Sequence, residues 1–335
     1  MASDNQEMTG LPVTENRKPV SPKRWIAGAA AGLAAALGLL AVLYAALNIS
    51  VPELAALWKG ADKTVLLATL LYSVVHHVFL GADKLYRVFR SMGLSPAYAD
   101  VLRLRLGAGP FRALLPVDTG ELVHALFFWR TRETSLDRAA GAVVFDRGLN
   151  LQGSTFWLVA GLLMLGSSSP AGWAAACLVA GGVYAAFFWA VPAQRLLIRA
   201  AGRLHTRLGR IAEGILSPFT ASRASHKLLF LAYGIVFQAR PLIVAWLLFA
   251  AFGVSVPAHV FVAFTSLAVF AGHVPTSAGM GPREAAFVLL FADYAPAPAL
   301  FAVGLSLTLF VHVIPMACGA PWAWWLFERI RRKEE

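Results

Sequence analysis

The chain has 335 residues, 58% of them hydrophobic and only 14% charged, with a mean hydropathy of +0.65. A soluble domain carries about a quarter charged residues, and several apolar runs of about 20 residues replace that class with an all-α polytopic membrane protein. The net charge of +11 invites nucleic acid as a partner, but its placement, traced below, assigns it to a membrane surface, so no nucleic acid is expected.

Residues 1–24 are polar and proline-bearing and read as a disordered cytoplasmic tail. A single transmembrane domain is predicted over 25–328, with halves at about 25–166 and 171–328, followed by a short tail at 329–335. Six full spans are predicted at about 25–47, 64–82, 142–166, 171–192, 227–252 and 298–327. The first is too long for a signal-peptide core and reads as an uncleaved anchor. Cys177 and Cys318 both fall inside apolar spans, which argues against a disulfide framework or a zinc site. No metal or other cofactor is expected.

Two further apolar segments, 97–133 and 257–292, are interrupted by Pro and Gly. In "FRALLPVDTGELVHALFFWR" (111–130), Pro116 ends one short helix and Gly120 loosens the turn. Asp118 is placed to cap the next helix, with Glu121 three residues on in a capping-box spacing. In "HVPTSAGMGPREAAF" (273–287), Pro275 ends a helix, and Gly279 and Gly281 permit positive φ or close backbone approach. Pro282 suits the first helical position, and Glu284 falls in a first turn, where the helix dipole favours an acid. Irregular backbone at membrane depth survives only inside protein or beside a wet cavity, so both segments are expected to be re-entrant helix pairs.

The basic residues set the expected orientation. Lys and Arg number 4 in residues 1–24, 9 in 83–139, 7 in 194–227 and 4 in the C-terminal tail. Only Lys59 and Lys63 fall on the other side, so both termini are predicted to be cytoplasmic in an inner-membrane protein. Tryptophans near the span ends fit an interfacial belt. The segment 193–215 spaces Arg195, Arg199, Arg203 and Arg207 by four and reads as an interfacial amphipathic helix. Glu121 and Glu284 lie 163 residues apart, the interval that also separates the predicted starts of spans two and five. With three crossings in each half, an inverted-topology repeat is expected.

Arg147, Arg240 and Arg283 lie within apolar segments, at an insertion cost of about 2.5–3.5 kcal/mol each if unpaired. Asp118, Glu121, Asp146 and Glu284 are the available acids. These seven residues are the candidate lining of a polar cavity that receives a lipid phosphate, for which arginine has the bidentate geometry. Structural pairing, such as Arg283 with an acid of the other half, is the competing reading. His76 and His77 point about 100° apart on an α-helix and read as core or cavity lining, as do His273 and His312; a proton relay is the sharper alternative.

Taken in order, "LLPVDTGELVHALFFWR…SLDRAAGAVVFDRGLNL" and "VPTSAGMGPREAAF" resemble the flippase-like transmembrane domain of lysylphosphatidylglycerol synthases. The resemblance matches Pro116, Gly120 and Glu121 to a Pro–Gly–Glu stretch and Asp146–Arg147 to an acid–Arg pair. Pro275, Gly279, Gly281 and Glu284 match a glycine-rich stretch in part. The chain departs from the pattern at His124, Asn150 and Ala278. Because it ends soon after the last span, the resemblance implies lipid translocation without synthase activity, and hence no enzyme. The expected substrate is an anionic phospholipid, a hopanoid or a polyprenyl-linked lipid. An intramembrane enzyme acting on a lipid headgroup and a scaffold for an envelope-lipid pathway are the alternatives. A homodimer and an envelope-lipid biosynthetic enzyme stay open as partners.

Overall fold

The computed structural model describes residues 22–114, 121–131, 134–165, 178, 181, 191–204, 206, 209, 212–213, 216, 224–272, 276 and 279–331. Pro116, Asp118, Gly120, His273, Pro275 and almost all of the span predicted at 171–192 lie outside the described residues. Every regular element among the described residues is a helix. In chain order these include α1 (Pro22–Ala46), α2 (Val51–Gly60), α3 (Lys63–Ser91), α4 (Tyr98–Gly107), α5 (Gly109–Leu114) and α6 (Leu122–Thr131). They continue with α7 (Leu136–Leu165), α8 (Val191–Leu204), α9 (Ala224–Ala251), α10 (Ala258–Ala271), α11 (Pro282–Leu290) and α12 (Ala297–Ile330).

Four of these, α3, α7, α9 and α12, are long and apolar enough to cross a membrane. A fifth candidate is the pair Leu37–Ala46 and Val51–Gly60, bent by 94°. The bend has a local cause: Asn48 sits at φ 50°, and the Ser50 side chain caps α2 by accepting from the Glu53 N–H at 3.2 Å. The described residues thus carry four or five of the six predicted spans. The terminal boundaries move slightly, since α1 already starts at Pro22 and the last helix runs on to Ile330.

α3 shows why such a helix belongs in lipid. Leu67, Leu71, Val75 and Phe79, four residues apart, form an exposed apolar stripe. Thr69, Ser73, His77 and Lys84 are buried on the protein side. That distribution is inverted relative to a soluble helix. α3 also extends well past the predicted end at 82. Its last turns bury Ala82, Leu85, Val88 and Phe89 against protein, so Lys84 enters the interior and not the cytoplasmic water. A π-helical turn at His76–Leu80 interrupts α3, and another at Leu309–Val313 interrupts α12. The Ser73 hydroxyl donates to the Phe310 carbonyl at 2.8 Å, joining the two helices beside both irregular turns.

Helix crossings rest on backbone contact. A Cβ on Gly153 of α7 would lie 2.2 Å from the Gly234 carbonyl oxygen of α9, so no side chain fits there. α10 crosses α7 at Gly161 and α4 crosses α12 at Gly319 in the same way. α10 has 14 residues, or about 21 Å of rise, too little to cross a hydrocarbon core of about 30 Å alone. The largest apolar core forms around Leu248, Phe249, Phe287, Phe291, Leu300 and Leu307, tying α9, α11 and α12 together.

Candidate functional site

Among the described residues, two buried polar networks occupy the interior. The first grows from α7, where Asp146 and Asn150 share a face at i, i+4 spacing. The Lys84 ammonium of α3 lies 2.9 Å from Asp146 Oδ1, donates to Asn150 Oδ1 and lies 3.5 Å from the Asp146 carbonyl oxygen. Lys84 is fully buried, and these three acceptors match its three N–H donors. Its Nζ sits 4.7 Å from the centre of the Phe237 ring of α9. The guanidinium carbons of Arg105 and Arg240 lie 5.4 and 5.7 Å from the same ring. Three cations therefore lie within cation–π range of one aromatic ring. Gly81 makes room for them, since a Cβ there would meet Arg105 Nε at 2.8 Å.

Arg147, next to Asp146, turns to a different partner. Its Nη2 donates to Glu121 Oε1 at 2.6 Å. Glu121 Oε2 lies 2.7 Å from His124 Nδ1, and Arg105 Nη1 lies 3.7 Å from Glu121 Oε1. Glu121 and His124 are buried, whereas the Arg147 side chain is 29% exposed. Arg147 is thus the rim of this cluster, and His124 is its floor. His76 and His77 both pack on Phe237, with ring centres 5.9 and 6.4 Å away.

The second network builds on the start of α11. Gly279 and Gly281 take φ 68° and 96°, as expected for a break that only glycine enters without strain. Pro282 opens the helix, and Glu284 Oε2 accepts the Gly281 N–H at 2.7 Å. Glu284 Oε1 accepts from the Thr308 hydroxyl, which accepts from Arg283 Nη2 at 2.5 Å. Arg283 Nη1 lies 3.0 Å from His312 Nε2. The competing reading paired Arg283 with an acid of the other half; the partners named here, Thr308 and His312, belong to α12, and Glu284 of its own helix α11 lies 3.6 Å from Arg283 Nη2.

Of the seven sequence candidates, Glu121, Asp146, Arg147 and Arg240 fall in the first network and Arg283 and Glu284 in the second; Asp118 lies outside the described residues. The sequence reading missed Lys84 and Arg105, which it counted among cytoplasmic charges. A signal was present: Lys84 shares a helical face with Gly81, Leu85 and Val88, and Arg105 shares one with Val101 and Ala108. It also missed Phe237 and Thr308, whose types carry no hint of a site.

A family model described as the lysylphosphatidylglycerol synthase TM region matches residues 29–319, most of the chain, including both networks. No curated protein matches. The order of the two broken segments, the acid–Arg pair on α7 and the glycine-lined start of α11 agree with that match, and the chain belongs to the lysylphosphatidylglycerol synthase transmembrane-region family.

Proposed function

We propose that the protein moves an anionic lipid between the leaflets of the cytoplasmic membrane, with the Phe237 cluster receiving the headgroup phosphate. Anionic phospholipid, a phosphate-bearing hopanoid or a polyprenyl-linked lipid carries the required group. The observation that carries this reading is the convergence of Lys84, Arg105 and Arg240 on one ring, beside the rim guanidinium of Arg147. Burying so many cations among apolar helices is costly, and a site that must strip water from a phosphate is one place where the cost is recovered. Within this cluster the roles divide. Lys84 is saturated by its three acceptors and acts as a clamp between α3 and α7. Arg147 and Arg240 are the phosphate-binding pair. We assign no bond-making or bond-breaking step to the protein, since Glu121 and Asp146 both serve as counter-charges to cations.

An inverted-topology repeat with two re-entrant pairs and cytoplasmic termini fits this reading. A shift of 163 residues carries α7 onto 299–328, within α12 at Ala297–Ile330. It carries α3 onto 226–254, close to α9, and α4 onto 261–270, inside α10. The crossings pair off likewise: α10 of the second half meets α7 of the first, and α4 of the first meets α12 of the second. Glu121 immediately precedes α6, and Glu284 lies in the first turn of α11. Such repeats let two halves rock about a midplane site.

Translocation of headgroup-labelled lipids in proteoliposomes tests the proposal. Arg147→Gln and Arg240→Gln are each expected to slow movement of phosphatidylglycerol about tenfold or more, the scale of one lost charge-assisted hydrogen bond. The wild-type protein moving no lipid from a panel of anionic and polyprenyl-linked species above the empty-vesicle rate would sink it.

A further inference from the structure

We infer a second anionic-lipid site, at the membrane surface, where Arg87 of α3 and the arginine row of α8 hold a phospholipid headgroup before the Phe237 cluster takes it. The loading step rests on the reading of that cluster as a phosphate site; the surface binding does not.

Arg87 is a guanidinium held ready. Its Nε donates to Asp83 Oδ2 at 2.9 Å, one turn back on α3. The Tyr233 hydroxyl of α9 donates to the same oxygen at 2.6 Å. The Arg87 guanidinium carbon lies 5.4 Å from the centre of the Tyr233 ring. Ring and carboxylate together orient the fork, while the side chain stays 48% exposed. Its Nη1 and Nη2 have no hydrogen-bond partner among the described residues. That is the edge that pairs with two phosphate oxygens. Asp83 does not occupy it, and an exposed i, i+4 ion pair contributes too little to withhold the guanidinium. Arg87 stands one turn along α3 from the fully buried Lys84, about 4.5 Å of rise. It therefore lies between solvent and the interior cluster.

α8 adds the second part at the same end of the bundle. Gln194 is fully buried, and Ile198, one turn on, packs on the core of Val88, Phe145, Leu149, Leu216 and Phe230. Val88 follows Arg87 in the chain, and Phe230 lies one turn before Tyr233. With that face turned inward, Arg195, Arg199 and Arg203, four residues apart, are all exposed. None of the three has a partner among the described residues, and α8 contains no acid.

The occupant is an anionic phospholipid of the facing leaflet. Leu196 and Leu197 are 66% and 46% exposed beside the arginines. Apolar side chains next to cations fit the boundary between headgroups and acyl chains, which a water-soluble phosphate does not offer. In the orientation expected from Lys and Arg, this end meets the cytoplasmic leaflet, whose negative surface attracts such segments. Each arginine near that surface strengthens binding about fivefold, and the row of three about a hundredfold.

The test is native mass spectrometry of the full chain from mixed micelles of phosphatidylglycerol and phosphatidylcholine, with translocation measured on the same variants. The wild type is expected to retain phosphatidylglycerol in preference to phosphatidylcholine. Arg195→Gln/Arg199→Gln/Arg203→Gln alters only exposed side chains and should lower phosphatidylglycerol affinity at this site about a hundredfold; Arg87→Gln should lower it about fivefold. Lysine at the three α8 positions keeps the charge and should keep most of the affinity. In proteoliposomes both glutamine variants should raise the mole fraction of phosphatidylglycerol needed for half-maximal translocation, a loss that excess lipid makes good. Arg240→Gln should not be rescued by excess lipid. Equal phosphatidylglycerol retention by the wild type and the triple variant overturns the surface site, and wild-type retention by Arg87→Gln overturns the place of Arg87 in it. Lost retention with an unchanged half-maximal mole fraction overturns the loading step. A wild type that retains phosphatidylglycerol but translocates no lipid removes the reading of the Phe237 cluster and leaves the surface site standing.

Discussion

Asp146→Asn is expected to destabilise the protein by about 3–5 kcal/mol, the cost of orphaning one charge of a buried pair. Lys84 is fully buried, with Asp146 Oδ1 at 2.9 Å and only uncharged oxygens as its other two acceptors. Asparagine keeps an oxygen for the ammonium but removes the counter-charge, so Lys84 must hold a charge in apolar protein or lose its proton. The Lys84→Met/Asp146→Asn double variant should recover most of the loss, since removing both charges also removes both desolvation costs. Thermal unfolding in one detergent, compared across wild type, single and double variants, checks this. An Asp146→Asn protein that melts with the wild type would mean that Lys84 reaches water or another anion, contrary to its burial.

Gly153→Val has an effect of similar size and a different cause. Its Cβ would sit 2.2 Å from the Gly234 carbonyl oxygen and 2.9 Å from Gln238 Cγ. The first neighbour is helix backbone and cannot rotate away, so α7 and α9 must separate. A loss of about 3 kcal/mol or more is expected, the upper range for overpacking. Separation also pulls Asn150 from Gln238, whose side chain donates to the Asn150 carbonyl at 3.0 Å, and moves Asp146 relative to Phe237. Gly60→Ala is the contrast, because nothing lies within 4 Å of its Cβ position and a change within about 0.5 kcal/mol is expected. Equal melting temperatures for the two variants would refute the close crossing.

The amino-acid sequence alone determined the class, the family and the broken segments. Apolar length is a local property, and a helix in lipid needs only enough of it. Pro282, with Gly279 and Gly281 before it, likewise fixed the start of α11, because φ preferences act within one or two residues. The partners of the charges were a different matter. Arg147 and Asp146 are adjacent in the chain, yet one turns to Glu121 of α6 and the other to Lys84 of α3. Lys84 and Arg105 read as solvated flanks because a charged residue after an apolar run resembles the end of a span; only packing against α7 and α9 buried them. Phe237 became the centre of the site only when α3, α4 and α9 met around it. Charges interact through space at a few ångströms whatever their separation in sequence, so periodicity and local breaks reveal the helices, while the tertiary arrangement decides which charges they bring together.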